Sequence, residues 1–323
     1  MKKVIPARPN VHLSAARNTL PPQVRVIVRD WLNANHILLA GRDRAVMVDS
    51  GYGRDTNMTL AKLSIELAGR PLDWLVNTHC HSDHMGGNAA VRRLHGCRLS
   101  IPVGEAPLIE TWDERNLWLA YADQRCERFA FDDTIAPGDV LDWGDLQWHA
   151  IAAPGHDMGA LMFHCEEERL LITGDALWEN GFGVLLPGPD RELRLSATRA
   201  TLQAISELDV HTVIPGHGAP FSAVAEALDR SLVRLDALAR DELRMARHVL
   251  KVMFVFSLLD RQSMSLERIP EYLATVPLYV DFNARYFRLD DAAFAEMIVG
   301  ELLRSKVINK ENDFLVPARV HTD

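Results

Sequence analysis

The stretch "NTHCHSDHMGGN", residues 77–88, decides how the rest of this sequence is interpreted. It places His79, His81, Asp83 and His84 close together along the chain. Imidazoles and a carboxylate at such short spacing are costly in an apolar core unless each is paired. The spacing therefore predicts a ligand-binding cluster, and imidazole with carboxylate is a ligand set that suits a metal ion.

Three later segments place a histidine or an aspartate just after an apolar run and beside a glycine. They are His156 in "APGHDMG", Asp175 in "LITGDALW" and His217 in "VIPGHGAPF". Side chains at the ends of neighbouring strands can converge on one edge of a sheet, while the glycines let the backbone turn sharply. We therefore expect one shared site at the edge of a sheet rather than separate core residues.

Together these positions supply five histidines and two aspartates, which is more than one ion needs. A tetrahedral zinc site with an open position takes roughly three protein ligands. Two divalent cations that share a carboxylate fit the set better, and imidazole with carboxylate suits zinc, iron or manganese. Two such cations would hold a bridging hydroxide at neutral pH that can attack a carbonyl or phosphoryl centre.

Between residues 24 and 222, short β-branched runs alternate with amphipathic helical patterns. The predicted strands are residues 24–28, 36–40, 45–49, 73–77, 97–101, 146–153, 160–165, 169–173 and 211–215. The predicted helices are residues 57–68, 87–94 and 193–208. The early strands follow one another closely and the later ones are separated by helices, which predicts an α/β layered sandwich.

The motifs "THCHSDHMGG", "PGHDMG", "TGDALW" and "PGHG", in this order, resemble those of the metallo-β-lactamase-fold hydrolase superfamily. The upstream "MVDSGYG" resembles the early strand end that carries an aspartate in that family. The resemblance covers roughly residues 22–222. It implies an α/β fold, the αββα layered metallo-β-lactamase sandwich, followed here by a smaller and mostly helical C-terminal module.

The resemblance also implies the role of each site residue. The implied metal ligands are His79, His81 and His156 for one ion, Asp83, His84 and His217 for the other, and Asp175 as the bridge between them. Asp49 is implied to orient the ligand loop, since imidazole tautomers must be fixed. Asp83 is also the predicted catalytic residue, which orients the metal-bound hydroxide. The predicted cofactors are two divalent metal ions, zinc foremost, with iron or manganese as alternatives.

The implied activity is that of a dinuclear metal-dependent hydrolase that cleaves an ester, a thioester or a lactone through a metal-bridging hydroxide. Asp175 favours these substrates, because the β-lactam-cleaving members mostly have a cysteine near this place, whereas glyoxalase II-like thioesterases, lactonases and nucleases have an aspartate. Two alternatives stay open. One is a phosphodiesterase or ribonuclease of the same superfamily, and the other is a non-catalytic ligand-sensing regulator that retains the site.

The segment "ALWENGFGVLLPG", which follows Asp175, supplies the predicted substrate pocket. Trp178 and Phe182, with two glycines between and after them, predict a mobile apolar loop that suits an acyl or aromatic group. Ordinary loop packing is the alternative. Residues 110–129 contain two tryptophans and predict a lid over the site, with a pair of helices packed on the sheet as the alternative.

The sequence changes character after residue 222. We therefore predict a catalytic domain at residues 1–222 and a helical, winged-helix-like domain at residues 223–323. Residues 223–260 have an almost continuous helical pattern, and the closing "KVINKENDFLVPA" predicts a hairpin. Residues 241–323 carry 11 basic and 13 acidic side chains, which argues against nucleic acid as a partner. The module is expected to cover the active site or to form a homodimer.

The overall composition is that of a globular protein, for which we expect a small-molecule substrate. Of 323 residues, 48% are hydrophobic and 24% are charged, enough for one large core or two smaller ones. The net charge of −9 argues against a general affinity for phosphate backbones or anionic lipid. The four cysteines form no CxxC pair, and the basic N-terminal residues precede no long apolar stretch. We expect a soluble, cytoplasmic protein that does not associate with membranes.

Overall fold

The computed structural model describes residues 20–318. Two β-sheets face each other, helices cover their outer faces, and a further group of helices follows. The N-terminal segment on which the cytoplasmic prediction partly depends, residues 1–19, lies outside the described residues, as do residues 319–323. In the described part of the chain, no helix combines the length and the apolar character needed to cross a bilayer.

The first sheet has six strands, in the spatial order β1 to β6. They are Val24–Ile27 (β1), His36–Ala40 (β2), Ala45–Val48 (β3), Trp74–Val76 (β4), Arg98–Pro102 (β5) and Asp133–Ile135 (β6). Strands β1 to β3 are antiparallel, whereas β3 to β6 are parallel. Since β3 and β4 are parallel neighbours, the residues that follow them, Asp49 and the histidine cluster, lie at the same edge of the sheet.

The second sheet has five strands, in the order β11-β10-β9-β8-β7. They are Val140–Trp143 (β7), Leu146–Ala152 (β8), Leu161–Cys165 (β9), Leu170–Gly174 (β10) and Thr212–Pro215 (β11). Strands β10 and β11 are parallel, and the other neighbours are antiparallel. Asp175 and His217 follow the two parallel strands and therefore emerge at one edge.

Seven helices belong to the sandwich or its loops. They are Thr56–Leu67 (α1), Ser82–Met85 (α2), Asn88–His95 (α3), Ala106–Thr111 (α4), Leu119–Ala122 (α5), Arg191–Glu207 (α6) and Val224–Arg240 (α7). The main core lies between the sheets, where Trp143 and Trp148 pack against Leu39 and Val48. Helices α1 and α3 cover the outer face of the first sheet, and α6 and α7 cover that of the second. This arrangement confirms the predicted αββα sandwich.

The predicted elements differ from the observed ones mainly at their ends. Strand β1 ends one residue before the prediction, and the three predicted helices are present with ends displaced by one or two residues. The sequence does not predict β6 or β7. Both are short and carry aspartates, so they lack the continuous apolar run that marks the buried strands.

The C-terminal module consists of helices and one small sheet. Its helices are Glu242–Arg261 (α8), Ile269–Thr275 (α9), Pro277–Phe282 (α10) and Asp291–Arg304 (α11). Its strands are Met264–Ser265 (β12), Ile308–Glu311 (β13) and Phe314–Pro317 (β14), in the order β12-β14-β13. Strands β13 and β14 are the predicted hairpin. The helical pattern of residues 223–260 is interrupted at Asp241, whose Oδ1 accepts from the Arg244 amide and begins α8.

Helix α7 and most of α8 bury their apolar residues in different cores, and Met245 at the start of α8 packs with α7. Leu235 and Leu238 of α7 pack with residues of α6 and β11. Phe254 of α8 packs instead with Phe294 of α11, in a cluster that belongs mostly to the C-terminal module. The module thus has a core of its own, while the domain boundary at residue 222 and the winged-helix-like assignment stay predictions.

Candidate metal centre

The structure brings all seven predicted ligands together at one edge of the sandwich. They come from the segment after β4 (His79, His81, Asp83 and His84), the loop after β8 (His156) and the ends of β10 and β11 (Asp175 and His217). Their ligand atoms form three overlapping groups, and within each group all the atoms lie within 4.8 Å of one another. Residues that are distant in sequence therefore form one cluster of nitrogen and oxygen donors.

Three imidazoles form one end of this cluster. The Nδ1 atom of His81 lies 3.1 Å from Nε2 of His79 and 2.9 Å from Nε2 of His156. His156 donates its Nδ1 proton to the carbonyl of Val184 at 2.6 Å, so its Nε2 carries a lone pair that points into the cluster. Such converging ring nitrogens cannot all be satisfied by each other, and a cation fits between them.

The other end contains Asp83, His84 and His217. Oδ2 of Asp83 lies 3.2 Å from Nε2 of His217 and 3.9 Å from Nε2 of His84. The opposite nitrogen of His84, Nδ1, is hydrogen-bonded to Asp49 at 2.8 Å. Nε2 of His84 is buried and lies 3.3 Å from Oδ1 of Asp175, without the geometry of a good hydrogen bond. A metal ion would satisfy this lone pair.

Asp175 lies between the two ends and faces both. Its Oδ2 is 3.5 Å from Nε2 of His156, while its Oδ1 is 3.3 Å from Nε2 of His84 and 3.7 Å from Nε2 of His217. A carboxylate with one oxygen toward each group is suited to bridge two cations. The donor set fits divalent metal ions such as zinc, and the assignment of each residue to one ion stays a prediction.

Asp49 holds the ligand loop from the end of β3. Its carboxylate accepts hydrogen bonds from the amide of Thr78 at 2.9 Å, the hydroxyl of Thr78 at 2.8 Å and Nδ1 of His84 at 2.8 Å. Asp49 is fully buried and has a positive φ of 60°, which is uncommon for a residue other than glycine. Three donors on one carboxylate fix the orientation and the tautomer of His84.

Burial and neighbouring charges shift the pKa values of several ligands, and the direction differs between His84 and the other two shifted histidines. Burial, followed by neighbouring imidazoles, lowers the pKa of His79 well below its ordinary value and that of His81 to about 4. Burial also disfavours a charged His84, but three carboxylates led by Asp49 raise its pKa well above the ordinary value. Burial opposes ionisation of Asp175, yet the surrounding imidazoles hold its pKa well below the usual range. Metal ligands need deprotonated imidazole and carboxylate forms, which most of this cluster provides.

A pair of carboxyl groups next to His81, one of them buried, was not predicted from the sequence. Oδ2 of Asp157 lies 3.7 Å from Nε2 of His81, and Asp157 is hydrogen-bonded to Glu105. Burial, and then the charge of Asp157, raise the pKa of Glu105 to about 9, so Glu105 keeps a proton for this pair. The only sequence signal was the aspartate directly after His156, because Glu105 reaches the site from the other sheet.

Trp31 is a second residue that the sequence did not reveal. It lies in the loop between β1 and β2, is 56% exposed, and stacks on His217 with ring centres 5.3 Å apart and an interplanar angle of 12°. Trp178 packs edge-on against both rings, and its Nε1 donates to Oδ1 of Asp175 at 3.2 Å. Trp31 and Trp178 thus form an aromatic wall beside the ligands. A tryptophan within the polar "RDWLNAN" was the available signal.

The other predicted pocket residue, Phe182, lies in the core rather than at the site. It is 1% exposed, packs with Leu177 and Leu185, and has the guanidinium of Arg234 5.0 Å above its ring. A ring this deeply buried cannot form a wall of an open pocket. From the predicted lid, Trp118 approaches the ligands, with its ring centre 6.3 Å from that of His81.

Comparison with known proteins assigns the sequence pattern to one family. The family model described as "Metallo-beta-lactamase superfamily" matches residues 29–217. A hydroxyacylglutathione hydrolase from Hyphomonas neptunium is 28% identical over 145 residues, which are 43% of this chain and 49% of that protein. Another from Rhizobium etli is 28% identical over 125 residues, 39% of this chain and 41% of that protein. The chain thus spans half the length, or less, of these curated relatives.

Solved structures share the fold at lower sequence identity. A metallo-beta-lactamase family protein from Thermus thermophilus superimposes with a TM-score of 0.55 and 19% identity, over 93% of this chain and 100% of that one. A metallo-beta-lactamase from Legionella gormanii gives a TM-score of 0.56 and 12% identity, over 68% of this chain and 94% of that one. At these identities the similarity concerns the fold alone, and the first match extends over the C-terminal module.

Proposed function

The chain belongs to the metallo-beta-lactamase superfamily, and we propose that it is a dinuclear metal-dependent hydrolase of a thioester, an ester or a lactone. The observation that carries this proposal is the placement of Asp175, with one carboxylate oxygen facing His156 and the other facing His84 and His217. Ligands on both sides of a shared carboxylate support two divalent cations, zinc foremost, with iron or manganese as alternatives. Such a pair, when bound, supplies a water-derived nucleophile at neutral pH and polarises a substrate carbonyl.

We assign the orientation of the attacking water to Asp83. Its side chain is 14% exposed, against 7% for Asp175, so it is the more accessible of the two carboxylates. Its contacts with His84 and His217 use Oδ2, which leaves Oδ1 free to accept a hydrogen bond from water. Asp49 and the Val184 carbonyl hold the outer ring protons of two ligands in place, so these groups need no rearrangement during the reaction.

Aromatic side chains around the ligands support a substrate with an apolar acyl part. Trp31 and Trp178 flank His217, and Trp118 lies on the opposite side, near His81. A few polar groups surrounded by aromatic rings are typical of small-molecule sites. Among carbonyl substrates a thioester comes first, because the curated relatives are hydroxyacylglutathione hydrolases and because residue 175 is an aspartate.

The C-terminal module supports the site as a cover in this proposal. Val184 and Leu186, from the loop after Asp175, pack against its core, as does Trp118 of the predicted lid. These apolar contacts hold two loops that flank the ligands. We therefore propose that residues 223–323 shape the substrate pocket, and sedimentation analysis would decide whether they also form a homodimer.

A substrate panel tests the activity. Protein loaded with zinc, manganese or iron would be given p-nitrophenyl esters, acyl-CoA thioesters, homoserine lactones, a cephalosporin and bis-p-nitrophenyl phosphate. We expect hydrolysis of at least one ester, thioester or lactone and none of the cephalosporin. Hydrolysis of the phosphodiester alone would establish the phosphodiesterase alternative, and no turnover by any metal form would favour the ligand-sensing regulator.

Metal analysis tests the dinuclear site independently of turnover. Protein purified without chelator and reconstituted with zinc should hold about two ions per chain. A content of about one ion or less after reconstitution with zinc, manganese and iron would contradict the bridging role of Asp175, whatever the substrate proves to be.

A further inference from the structure

A polar cavity of about 660 Å³, here called the cation cavity, lies between α7 and α8 and is not lined by any of the metal ligands. The charged side chains that line it are Arg234 of α7, Asp241, Arg244, Arg247 and Lys251 at or within α8, and Glu301 of α11. Four cations thus face two carboxylates. Its volume is within the range of about 300–1,000 Å³ that is usual for small-molecule sites.

The two carboxylates are already engaged and leave part of the positive charge unpaired. Glu301 accepts from Arg247 at 3.0 Å through Oε1 and lies 3.1 Å from Nζ of Lys251 through Oε2. Asp241 uses Oδ1 to accept from the backbone amide of Arg244. Within residues 20–318, neither Arg234 nor Arg244 forms an ion pair with a carboxylate.

Arg234 is the most constrained of these cations. Its Nη2 donates to Nε2 of His248 at 2.7 Å, and its guanidinium lies over the ring of Phe182. Burial lowers the pKa of Arg234, and burial together with Arg234 lowers the pKa of His248 to about 4. His248 is therefore a neutral acceptor at physiological pH and supplies no negative charge. A partly buried guanidinium without an anion is energetically unfavourable until an anionic ligand arrives.

Arg247, the third guanidinium that lines the cavity, carries one unsatisfied donor. Its Nε atom is buried and makes no hydrogen bond to any residue that the structure describes. Buried donors are nearly always satisfied in folded proteins, by protein, water or ligand. Arg247 lines the cavity and its Nη1 holds Glu301, so an oxyanion would meet its terminal nitrogens and not the buried Nε–H.

We propose that the cation cavity binds a small phosphorylated organic anion through Arg234, Arg244 and Arg247. A guanidinium fork matches the oxygen spacing of phosphate, and two unpaired guanidiniums suit a dianion better than a single carboxylate. The volume is larger than a lone phosphate requires, which points to an organic part beside it. The cations line one cavity and not an open track, so a small molecule fits better than a nucleic-acid strand.

A contiguous set of contacts connects this cavity with the metal centre. Arg234 lies against Phe182 and so close to Gly181 that a side chain there would collide with its guanidinium. The carbonyl of Gly181 accepts from the Trp178 amide at 2.6 Å, and the ring of Trp178 contacts His217. The phosphate could therefore belong to the distal end of the substrate or to a separate ligand that positions this loop.

Calorimetric titration of the metal-loaded protein at low salt tests binding, with ADP and inorganic phosphate as probes. We expect R244Q to weaken ADP binding about tenfold, because it removes an unpaired charge from an exposed side chain. We expect E301Q to tighten binding, because it frees Arg247 and Lys251. The matched control, K310Q, removes one exposed positive charge from β13 and should change nothing.

The two main variants distinguish a specific anion site in the cavity from misfolding and from binding at the metals. Tighter binding in E301Q cannot result from misfolding, and phosphate bound at the metal centre would be unaffected by either substitution. Three outcomes would overturn the proposal: no saturable binding of ADP or phosphate, binding that R244Q leaves unchanged, or an equal loss in K310Q.

A turnover measurement identifies the source of the phosphate, and this part alone rests on the proposed hydrolase function. If the substrate carries it, R244Q raises KM for an acyl-CoA thioester and leaves the matching N-acetylcysteamine thioester unchanged. If a separate ligand carries it, R244Q leaves both KM values unchanged and weakens only ADP binding. The calorimetric result stands in either case, so failure of the hydrolase proposal and failure of the cavity proposal are distinguishable.

Discussion

The metal centre and the cation cavity both concentrate charged side chains, but the first needs a bound cation and the second a bound anion. At the metal centre, Asp83 and Asp175 lie among five imidazoles, and burial lowers the pKa of His79 and His81, so this cluster presents carboxylate oxygens and ring nitrogens to a cation. In the cation cavity, guanidiniums outnumber carboxylates, and His248 is kept neutral. Buried groups of one sign are costly without a partner. Each site therefore lacks a group of opposite charge. A bound cation would supply it at the metal centre, and a bound anion would supply it in the cation cavity.

The two sites also differ in how they are held. Carboxylates and backbone carbonyls fix the outer face of the metal ligands, as Asp49 does for His84 and Val184 does for His156. The cavity has fewer such supports. The backbone amide of Arg244 donates to Asp241, but its side chain is exposed. Removal of one supporting residue should greatly reduce the activity of a preorganised site. In a flexible site, a substitution should reduce binding affinity mainly through the charge that it removes. Substitutions at the two sites should therefore differ in the size of their effects.

Substitution of Asp175, the carboxylate that we propose as the bridge, should have the largest effect. D175A removes the group that faces both ends of the ligand cluster, so we expect kcat/KM to fall by about 10³-fold or more. Metal content, measured by elemental analysis, should fall in parallel. The control D209A removes an exposed aspartate that pairs with Arg169 on the surface, and it should retain both activity and metal. Full activity in D175A would show that the reaction does not take place at the metal centre.

Removal of Asp49 should destabilise the protein even without metal. D49A leaves the amide and hydroxyl of Thr78 and Nδ1 of His84 without their acceptor, in a fully buried position. We expect a loss of about 3 kcal/mol in the free energy of unfolding, measured by urea titration of the metal-free protein. D49N should lose less, because asparagine tolerates the positive φ and keeps one acceptor oxygen. Equal stability of D49A and the wild type would show that the ligands are not preorganised.

The convergence of the seven candidate ligands was predictable from sequence, because these residues follow strand ends and four of them are closely spaced. What the sequence could not supply were the contacts made across layers, such as Glu105 on Asp157 and Trp31 on His217. Phe182 was misplaced for the same reason. Its loop was recognised, but whether an aromatic side chain on a loop points in or out depends on what packs there, and Arg234 covers it.

The net charge of the C-terminal segment gave no indication of the cation cavity. Residues 241–323 are acidic overall, and "RDELRMARHVLK" carries two acidic side chains beside four basic ones. On a helix, however, Arg244, Arg247 and Lys251 are three, four and seven residues apart and share one face. Arg234 joins them only because α7 and α8 pack against each other, which is a tertiary fact that no local pattern encodes.

Loss of the exposed aromatic wall should weaken substrate binding and leave the metals in place. W31A removes a half-exposed ring that stacks on His217, so we expect KM for a substrate with an apolar acyl chain to rise about tenfold. Metal content and the urea midpoint should stay near the wild-type values. F314A removes a comparably exposed ring from β14 and serves as the control. A fall in metal content in W31A would make Trp31 a support of His217 and not a substrate contact.

The free energy of unfolding should depend on pH through His248, which lies among the cations of the cation cavity. Its pKa is about 4 in the folded protein and near the ordinary 6.5 in the unfolded chain. Between these values the unfolded chain binds the extra proton, so the free energy of unfolding falls as pH decreases from 6.5 to 4, by at most about 1.4 kcal/mol per pH unit from this residue. Above pH 6.5 the contribution is complete.

The variant H248Q isolates this contribution, because glutamine can still accept from Arg234 and does not titrate. Urea titrations at several pH values should show a shallower loss of stability below pH 6.5 in H248Q than in the wild type, while H211Q, at an exposed position, should keep the wild-type slope. Added phosphate should also flatten the wild-type slope, since an anion beside Arg234 makes protonation of His248 less costly. Phosphate could also leave the pH dependence unchanged while H248Q makes it shallower. The low pKa of His248 would then result from burial alone, and the cavity would not bind an anion.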